Sequence, residues 1–199
     1  MLSVAIKRYL KDLVDKYHRI LFLGIGENRM GDDGFGPYVS YELLSRLEFQ
    51  NPKKTIQVIN GKTNYVERKP EIQEFNPELL ILIDTCKSDK KSEPSHPGRI
   101  VIAEENELIN WLPLSSHVLP LPVFITQLKS TIKEVFSILI GIEPISQEYN
   151  NDVVQYKAEF YSLDDYEKNP DLPFYEFNLS PKIQKRAEEL IDYLLELLV

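Results

Sequence analysis

Three side chains able to hold a divalent cation stand out in this 199-residue chain. They are Asp33, in Gly24-Ile-Gly-Glu-Asn-Arg-Met-Gly-Asp-Asp33-Gly-Phe-Gly36; Asp84, after Leu79-Leu-Ile-Leu-Ile83; and His117, in Leu114-Ser-Ser-His117-Val-Leu-Pro120. Carboxylate oxygens with an imidazole nitrogen make a borderline-hard ligand set suited to a divalent transition metal such as nickel or zinc. If the fold brings the three together, the chain carries an open, three-ligand metal site.

Each of these residues has a plainer reading. An acid before a helix is common as a turn or N-cap residue, and Asp32 fits that role better than Asp33 does. Asp84 could cap a loop, and a lone histidine is most often a satisfied buried one. His18 falls at an expected helix end, where it would favour the dipole, and His96 falls in a polar loop. Cys86 has no nucleophile signature around it and reads as a small buried side chain. Gly24 and Gly26 might suggest a dinucleotide turn, but the third glycine is Gly31 and no acid stands at a ribose position.

Something must position these groups. Leu2, Ile6, Leu10, Leu13 and Tyr17 form one helical stripe. Arg19-Ile-Leu-Phe-Leu-Gly24 has the continuous apolar character of a strand buried on both faces. Gly36-Pro37 opens a second helix, with Phe35, Val39, Leu43, Leu44 and Leu47 expected on its buried side. Thr55–Ile59 reads as a strand closed by Asn60-Gly61. Pro70 leaves residues 64–75 ambiguous. Leu79–Ile83 is the strongest strand signal and is expected to stop at Asp84. A loop over Lys87–Gly98, a strand over Arg99–Ala103 and a short helix over Glu105–Leu112 follow. A helix start at Pro122–Lys129 and a last core strand at Glu134–Ile142 complete the series. Ser180-Pro181 starts a terminal helix, with serine as N-cap and Ile183, Ala187, Leu190, Ile191, Leu194, Leu195 and Leu198 on its apolar face.

Strands alternating with helices predict an α/β fold: a three-layer sandwich with a mostly parallel five-stranded sheet flanked by helices. In such sheets ligands sit beyond the carboxyl ends of the strands, where the strand order reverses. For an order 2-1-3-4-5, Asp33 leaves strand 1 and Asp84 ends strand 3, so the two acids meet at that point. Two carboxylates there repel unless a cation joins them or one is protonated.

Composition bounds the function. The length fits a single domain spanning 1–199, burying roughly 70% of its unfolded surface. Net charge is −8 and no basic stripe is visible, which argues against nucleic acid. No apolar run reaches the roughly 18 residues of a membrane helix, so no membrane insertion is expected. A single cysteine and the absence of a signal-peptide pattern place the chain in the cytoplasm. Eight acids and two lysines lie between Glu148 and Glu176, a local balance of −6, and eight aromatics lie between Tyr149 and Phe177. This acidic-aromatic stretch, about 147–173, is too acidic for the core and too aromatic for a plain linker, which suits a docking surface.

Taken in order, four motifs resemble the [NiFe]-hydrogenase maturation endopeptidases. They are the Gly-x-Gly-(x)4-Gly-Asp-Asp-Gly-x-Gly turn, the Leu/Ile strand ending in Asp84, Ser-Ser-His117-Val-Leu-Pro-Leu, and Leu-Ile-Gly141-Ile-Glu-Pro144. The resemblance covers about 19–146 and 174–198. It implies a five-stranded sheet flanked by helices and an endopeptidase that removes the C-terminal extension of a hydrogenase large-subunit precursor after nickel insertion. It further implies that Asp33, Asp84 and His117 contact the nickel carried by that precursor and make the catalytic site. The chain departs from the family pattern in Gly26-Glu27, where Gly-Asn is usual, and in Asn60-Gly61-Lys62-Thr63, where Asp-Gly-Gly-Thr is usual. The N-terminal helix (1–18) and the 147–173 stretch look like additions. A second reading from a different class is a non-catalytic, nickel-dependent assembly factor or chaperone for the large subunit.

Overall fold

The computed structural model describes residues 2–28, 30–88, 96–113, 119–132, 134–145, 177 and 179–199. Helix α1 (Val4–Lys16) begins on Ser3, whose hydroxyl accepts the Ile6 N–H at 3.2 Å. Strand β1 (Arg19–Ile25) leads through a 3-10 turn (Gly31–Gly34) into α2 (Phe35–Leu47). Then come β2 (Thr55–Lys62), a 3-10 turn (Tyr65–Arg68) and α3 (Lys69–Phe75), with Pro70 in its first turn where a missing N–H costs nothing. The chain continues through β3 (Leu79–Ser88), β4 (Ile100–Glu104), a 3-10 helix (Glu105–Asn110), β5 (Trp111–Pro113), α4 (Leu121–Lys129), β6 (Phe136–Ile142) and α5 (Pro181–Leu198).

The five main strands lie in the order β2-β1-β3-β6-β4. All neighbouring pairs are parallel except β4–β6. This is the mostly parallel α/β sheet read from the sequence, with one correction. The last two strands exchange places relative to the expected 2-1-3-4-5 order, and β4 runs antiparallel at the edge. An antiparallel edge strand needs no right-handed crossover, so a short connection can place it there.

Alternation along the strands divides the core in two. Ile20, Phe22, Leu79, Ile81, Ile83, Ile138, Ile140 and Ile142 face α1, α2 and α5. Leu21, Leu23, Ile25, Leu80, Leu82 and Cys86 face α3 and α4. The result is a helix–sheet–helix sandwich. The N-terminal helix belongs to the first layer: Leu10, Leu13 and Val14 are buried, and Tyr193 on α5 donates to the Lys7 carbonyl at 2.7 Å.

Helix α2 sits unusually close to the sheet. A Cβ on Gly36 would lie 2.1 Å from the Ile83 carbonyl oxygen and 2.4 Å from that of Ile25, so only glycine lets the helix start touch the β1 and β3 backbones. Phe35, Val39 and Leu43 are buried as expected, whereas Leu44 is 57% exposed. The stripe through 35, 39 and 43 turns to the sheet, and Leu44 lies about 100° round the helix from Leu43.

Other element ends also differ from the sequence reading. Asn60 and Gly61 lie inside β2, because β1 continues beside them; their pairing shifts register between Gly24 and Ile25. β3 runs four residues past Asp84, because β6 pairs it through Thr85 and β5 pairs it from Cys86 to Ser88. That same pairing takes Trp111 and Leu112 out of the expected helix. Ser180 occupies the N-cap position of α5 but makes no capping bond there.

Candidate active site

The site is built where the pairing between β1 and β3, adjacent and parallel, ends at Gly24 and Ile83. Gly26, at φ +135°, turns the chain out of β1; a Cβ there would lie 2.0 Å from the Asp33 carbonyl oxygen. The turn folds back on itself: the Met30 N–H donates to the Glu27 carbonyl and the Asp33 N–H to the Met30 carbonyl, both at 3.0 Å. This brings the Asp33 carboxylate under the turn, where its Oδ2 accepts the Glu27 N–H at 2.8 Å.

Asp33 Oδ1 accepts the Thr85 hydroxyl, also at 2.8 Å. Thr85 has the parity of Ile81 and Ile83, so it lies on the α2 side of β3, where Asp33 is. Asp84 has the opposite parity and belongs to the α3/α4 side with Leu82 and Cys86. Its Oδ1 accepts the Thr85 N–H at 2.7 Å. The two acids thus meet Thr85 from opposite sides of β3 and are joined through this one residue. Asp33, Asp84 and Thr85 are all buried.

Asp32 does something different from its neighbour. It caps neither the 3-10 turn nor α2. Its Oδ1 accepts the Ser180 N–H at 2.6 Å, and its Oδ2 accepts the Ile145 N–H at 2.8 Å and the Ser180 hydroxyl at 3.0 Å. This is where the expected capping hydroxyl of Ser180 goes. Asp32 clips together the exit of β6 and the entry of α5. The acidic-aromatic stretch expected at 147–173 lies outside the described residues, but Ile145 and Ser180 on either side of it are held by this one carboxylate.

His117 also lies outside the described residues. Those flanking it do not: Pro113 pairs with Cys86, two residues beyond Asp84. On the other side, the Leu119 carbonyl accepts a hydrogen bond from the Tyr65 hydroxyl. Tyr65 is buried, packs edge-on against Phe124 at 4.9 Å, and has its phenol pushed up by burial and by the negative charge of Asp84. Both flanks therefore reach the Asp84 end of the sheet. Among the described residues no three His, Cys, Asp or Glu side chains form a metal-holding group.

The remaining candidates keep their plain readings. Burial, with the Asp84 and Glu143 charges behind it, pushes the Cys86 thiol up and keeps it protonated; the sulfur packs where a Cβ on Gly141 would be 2.2 Å away. His18 and His96 are exposed, and each offers its main-chain N–H to a glutamate, Glu78 and Glu143, at 2.7 Å. Glu143, from the Gly-Ile-Glu-Pro motif, is buried against Arg99 and holds the edge strand rather than a ligand.

Comparison with known proteins decides the family. The chain is 31% identical over 142 residues, 69% of its length, to 79% of a Methanocaldococcus jannaschii protein whose name assigns it to the hydrogenase maturation proteases. It is 32% identical over 124 residues to the hydrogenase 3 maturation protease of Escherichia coli K12, covering 62% of this chain and 72% of that one. The chain belongs to the hydrogenase maturation proteases. No family model matches it. Solved structures agree on the fold: the [NiFe] hydrogenase maturation protease HycI of Thermococcus kodakarensis superposes with a TM-score of 0.67 at 23% identity, over 95% of this chain and 97% of that one. The hydrogenase maturating endopeptidase HybD of E. coli gives 0.60 at 20% identity, over 89% and 90%.

As a hydrogenase maturation protease the chain is an endopeptidase, and the reading as a non-catalytic assembly factor is not favoured. One departure from the family pattern now has a structural correlate. Lys62, where glycine is usual, sits at φ +49°, a left-handed conformation that side chains adopt at a cost of about 1 kcal/mol. Sequence reasoning missed Thr85 and the clip made by Asp32. Thr85 was reachable, since alternation along β3 sets it opposite Asp84. The Asp32 contacts span more than a hundred residues and left no local signal.

Proposed function

We propose that this protease removes the C-terminal extension of a nickel-loaded [NiFe]-hydrogenase large-subunit precursor, with Asp33, Asp84 and His117 addressing the nickel that the precursor carries. The observation that carries the reading is the pair of buried carboxylates joined through Thr85 just beyond the last β1–β3 pair. Buried acids are suited to a cation, because a divalent charge brought to them offsets the cost of their desolvation. The donor set suits nickel through the His117 imidazole, with the carboxylate oxygens of Asp33 and Asp84 completing a borderline-hard set. The flanks of His117 at Pro113 and Leu119 support its joining.

In this reading the metal is part of the substrate. It draws the precursor's C-terminal region to the two aspartates and supplies Lewis acidity to the scissile carbonyl, so that water adds at the carbonyl carbon and the C–N bond breaks. The chain's own part is to hold the carboxylates rigidly where the loaded precursor must dock. Among the described residues no helix is long and apolar enough to cross a membrane. The cytoplasmic reading rests on composition, with Cys86 as the single cysteine.

The test is processing of purified precursor, nickel-loaded or metal-free, followed by mass spectrometry of the released C-terminal peptide. Cleavage of the loaded form alone is the expected result. Equal cleavage of the metal-free form overturns the reading.

A further inference from the structure

We infer that Thr85 is a positioning residue for the peptidase reaction, its hydroxyl holding Asp33 and its main-chain N–H holding Asp84. The inference deepens the proposed role of the two aspartates and rests on it. Three observations carry it. The Thr85 hydroxyl meets Asp33 Oδ1 at 2.8 Å, and the Thr85 N–H meets Asp84 Oδ1 at 2.7 Å. Thr85 is fully buried, so its hydroxyl is turned to the site and not to solvent. The other oxygen of Asp33 accepts the Glu27 N–H at 2.8 Å, so Thr85 and the turn hold the carboxylate by its two oxygens.

The division of labour follows from strand geometry. Residues 84 and 85 point to opposite faces of β3, and the acids come from those opposite faces. A residue between them that donates from both its backbone and its side chain fixes their separation. Backbone placement of Thr85 is set by its pairing with Ile142 on β6, in the middle of the sheet, so the clamp is anchored on a rigid strand. Serine retains the hydroxyl. Valine matches the shape, keeps the N–H and lacks the side-chain donor.

The experiment pairs Thr85→Val and Thr85→Ser with Asp33→Ala and Asp84→Ala. With nickel-loaded precursor, Thr85→Val is expected to lower kcat/KM about 10–100-fold, the scale of a misplaced catalytic group, while Thr85→Ser stays within about 3-fold of wild type. A second readout uses the free protein. Thr85→Val should lower the thermal midpoint by about 2–4 °C in the wild-type background, and should cause no further loss, but a partial recovery, in the Asp33→Ala background, because there it removes a buried hydroxyl that has lost its acceptor. Wild-type turnover by Thr85→Val beside dead aspartate variants overturns the role of Thr85 alone. So do additive midpoint shifts, or a Thr85→Ser variant as impaired as Thr85→Val. Full activity of Asp33→Ala and Asp84→Ala sinks the reading of the aspartates themselves, and the free-protein cycle still reports on the clamp.

Discussion

Carboxylates fasten β1 to β3 at both ends of the sheet, in two different ways. At the amino end, Glu78 accepts the main-chain N–H groups of His18 and Arg19 at 2.7 and 3.0 Å, and the Arg19 guanidinium lies 3.3 Å away. That carboxylate is 33% exposed. At the carboxyl end, Asp33 is bound to the turn after β1 and to Thr85 on β3, with Asp84 and Asp32 beside it, all buried. An acid at the surface shares its charge with water and can be exchanged at little cost. A buried acid depends on every bond it makes, and removing it leaves buried donors behind. The sheet has its exposed staple at one end and its buried cluster of acids at the other.

The sharpest way to break this contrast is at Asp84 and Asp33. Asp84→Ala and Asp33→Ala are each expected to reduce precursor processing by about a thousand-fold or more, on the scale of losing a group that acts as a unit with its neighbours. Asp33→Ala should also lower stability by about 1–3 kcal/mol, since the Thr85 hydroxyl and Glu27 N–H lose their acceptor. A rate assay beside urea unfolding separates the two effects. An active Asp84→Ala enzyme would end the comparison.

Asp32 tests burial without chemistry. Asp32→Ala strands the Ile145 and Ser180 N–H groups and should cost about 2–4 kcal/mol in urea unfolding. Asp32→Asn keeps one acceptor oxygen and should recover part of the loss. A stability change in Asp32→Ala no larger than that of a surface mutant would mean that the clip carries no load.

The smallest effect is expected at the amino end. Glu78 is held below the usual glutamate range by the backbone bonds from Arg19 and His18, which favour its charged form. Its stabilisation is therefore fully present above the ordinary glutamate pKa and is lost as pH falls through the lowered folded value. Glu78→Gln should lower the thermal midpoint slightly at neutral pH and match wild type in acid. A gap that widens on acidification contradicts this sign.

Much of the carboxyl end was legible in the sequence because buried parallel strands write themselves as unbroken apolar runs. Leu79–Ile83 and Ile20–Leu23 placed Asp84 and Asp33 at a switch point, and the fold keeps β1 and β3 adjacent there. What the sequence hid was set by partners elsewhere in the chain. The extension of β3 past Asp84 depends on β5 and β6, and β4 could be placed at the antiparallel edge only by knowing that it pairs with β6. Leu44 misled because hydrophobic type alone does not fix which of two adjacent leucines turns inward. The sequence separated Asp32 from Asp33 but gave it a local capping role, because its partners Ile145 and Ser180 lie more than a hundred residues away.

The clip at Asp32 has a consequence for how this chain can vary. Ile145 and Ser180 are secured by the same carboxylate, so the 34 residues between them start and finish at one fixed point. Chain length between two ends pinned together can change at little thermodynamic cost, about 0.6 kcal/mol for each doubling, and without tugging on α5 or on the turn that carries Asp33. A relative could therefore carry a shorter or differently charged sequence between these two anchors while the peptide-cutting frame that they belong to stays in register.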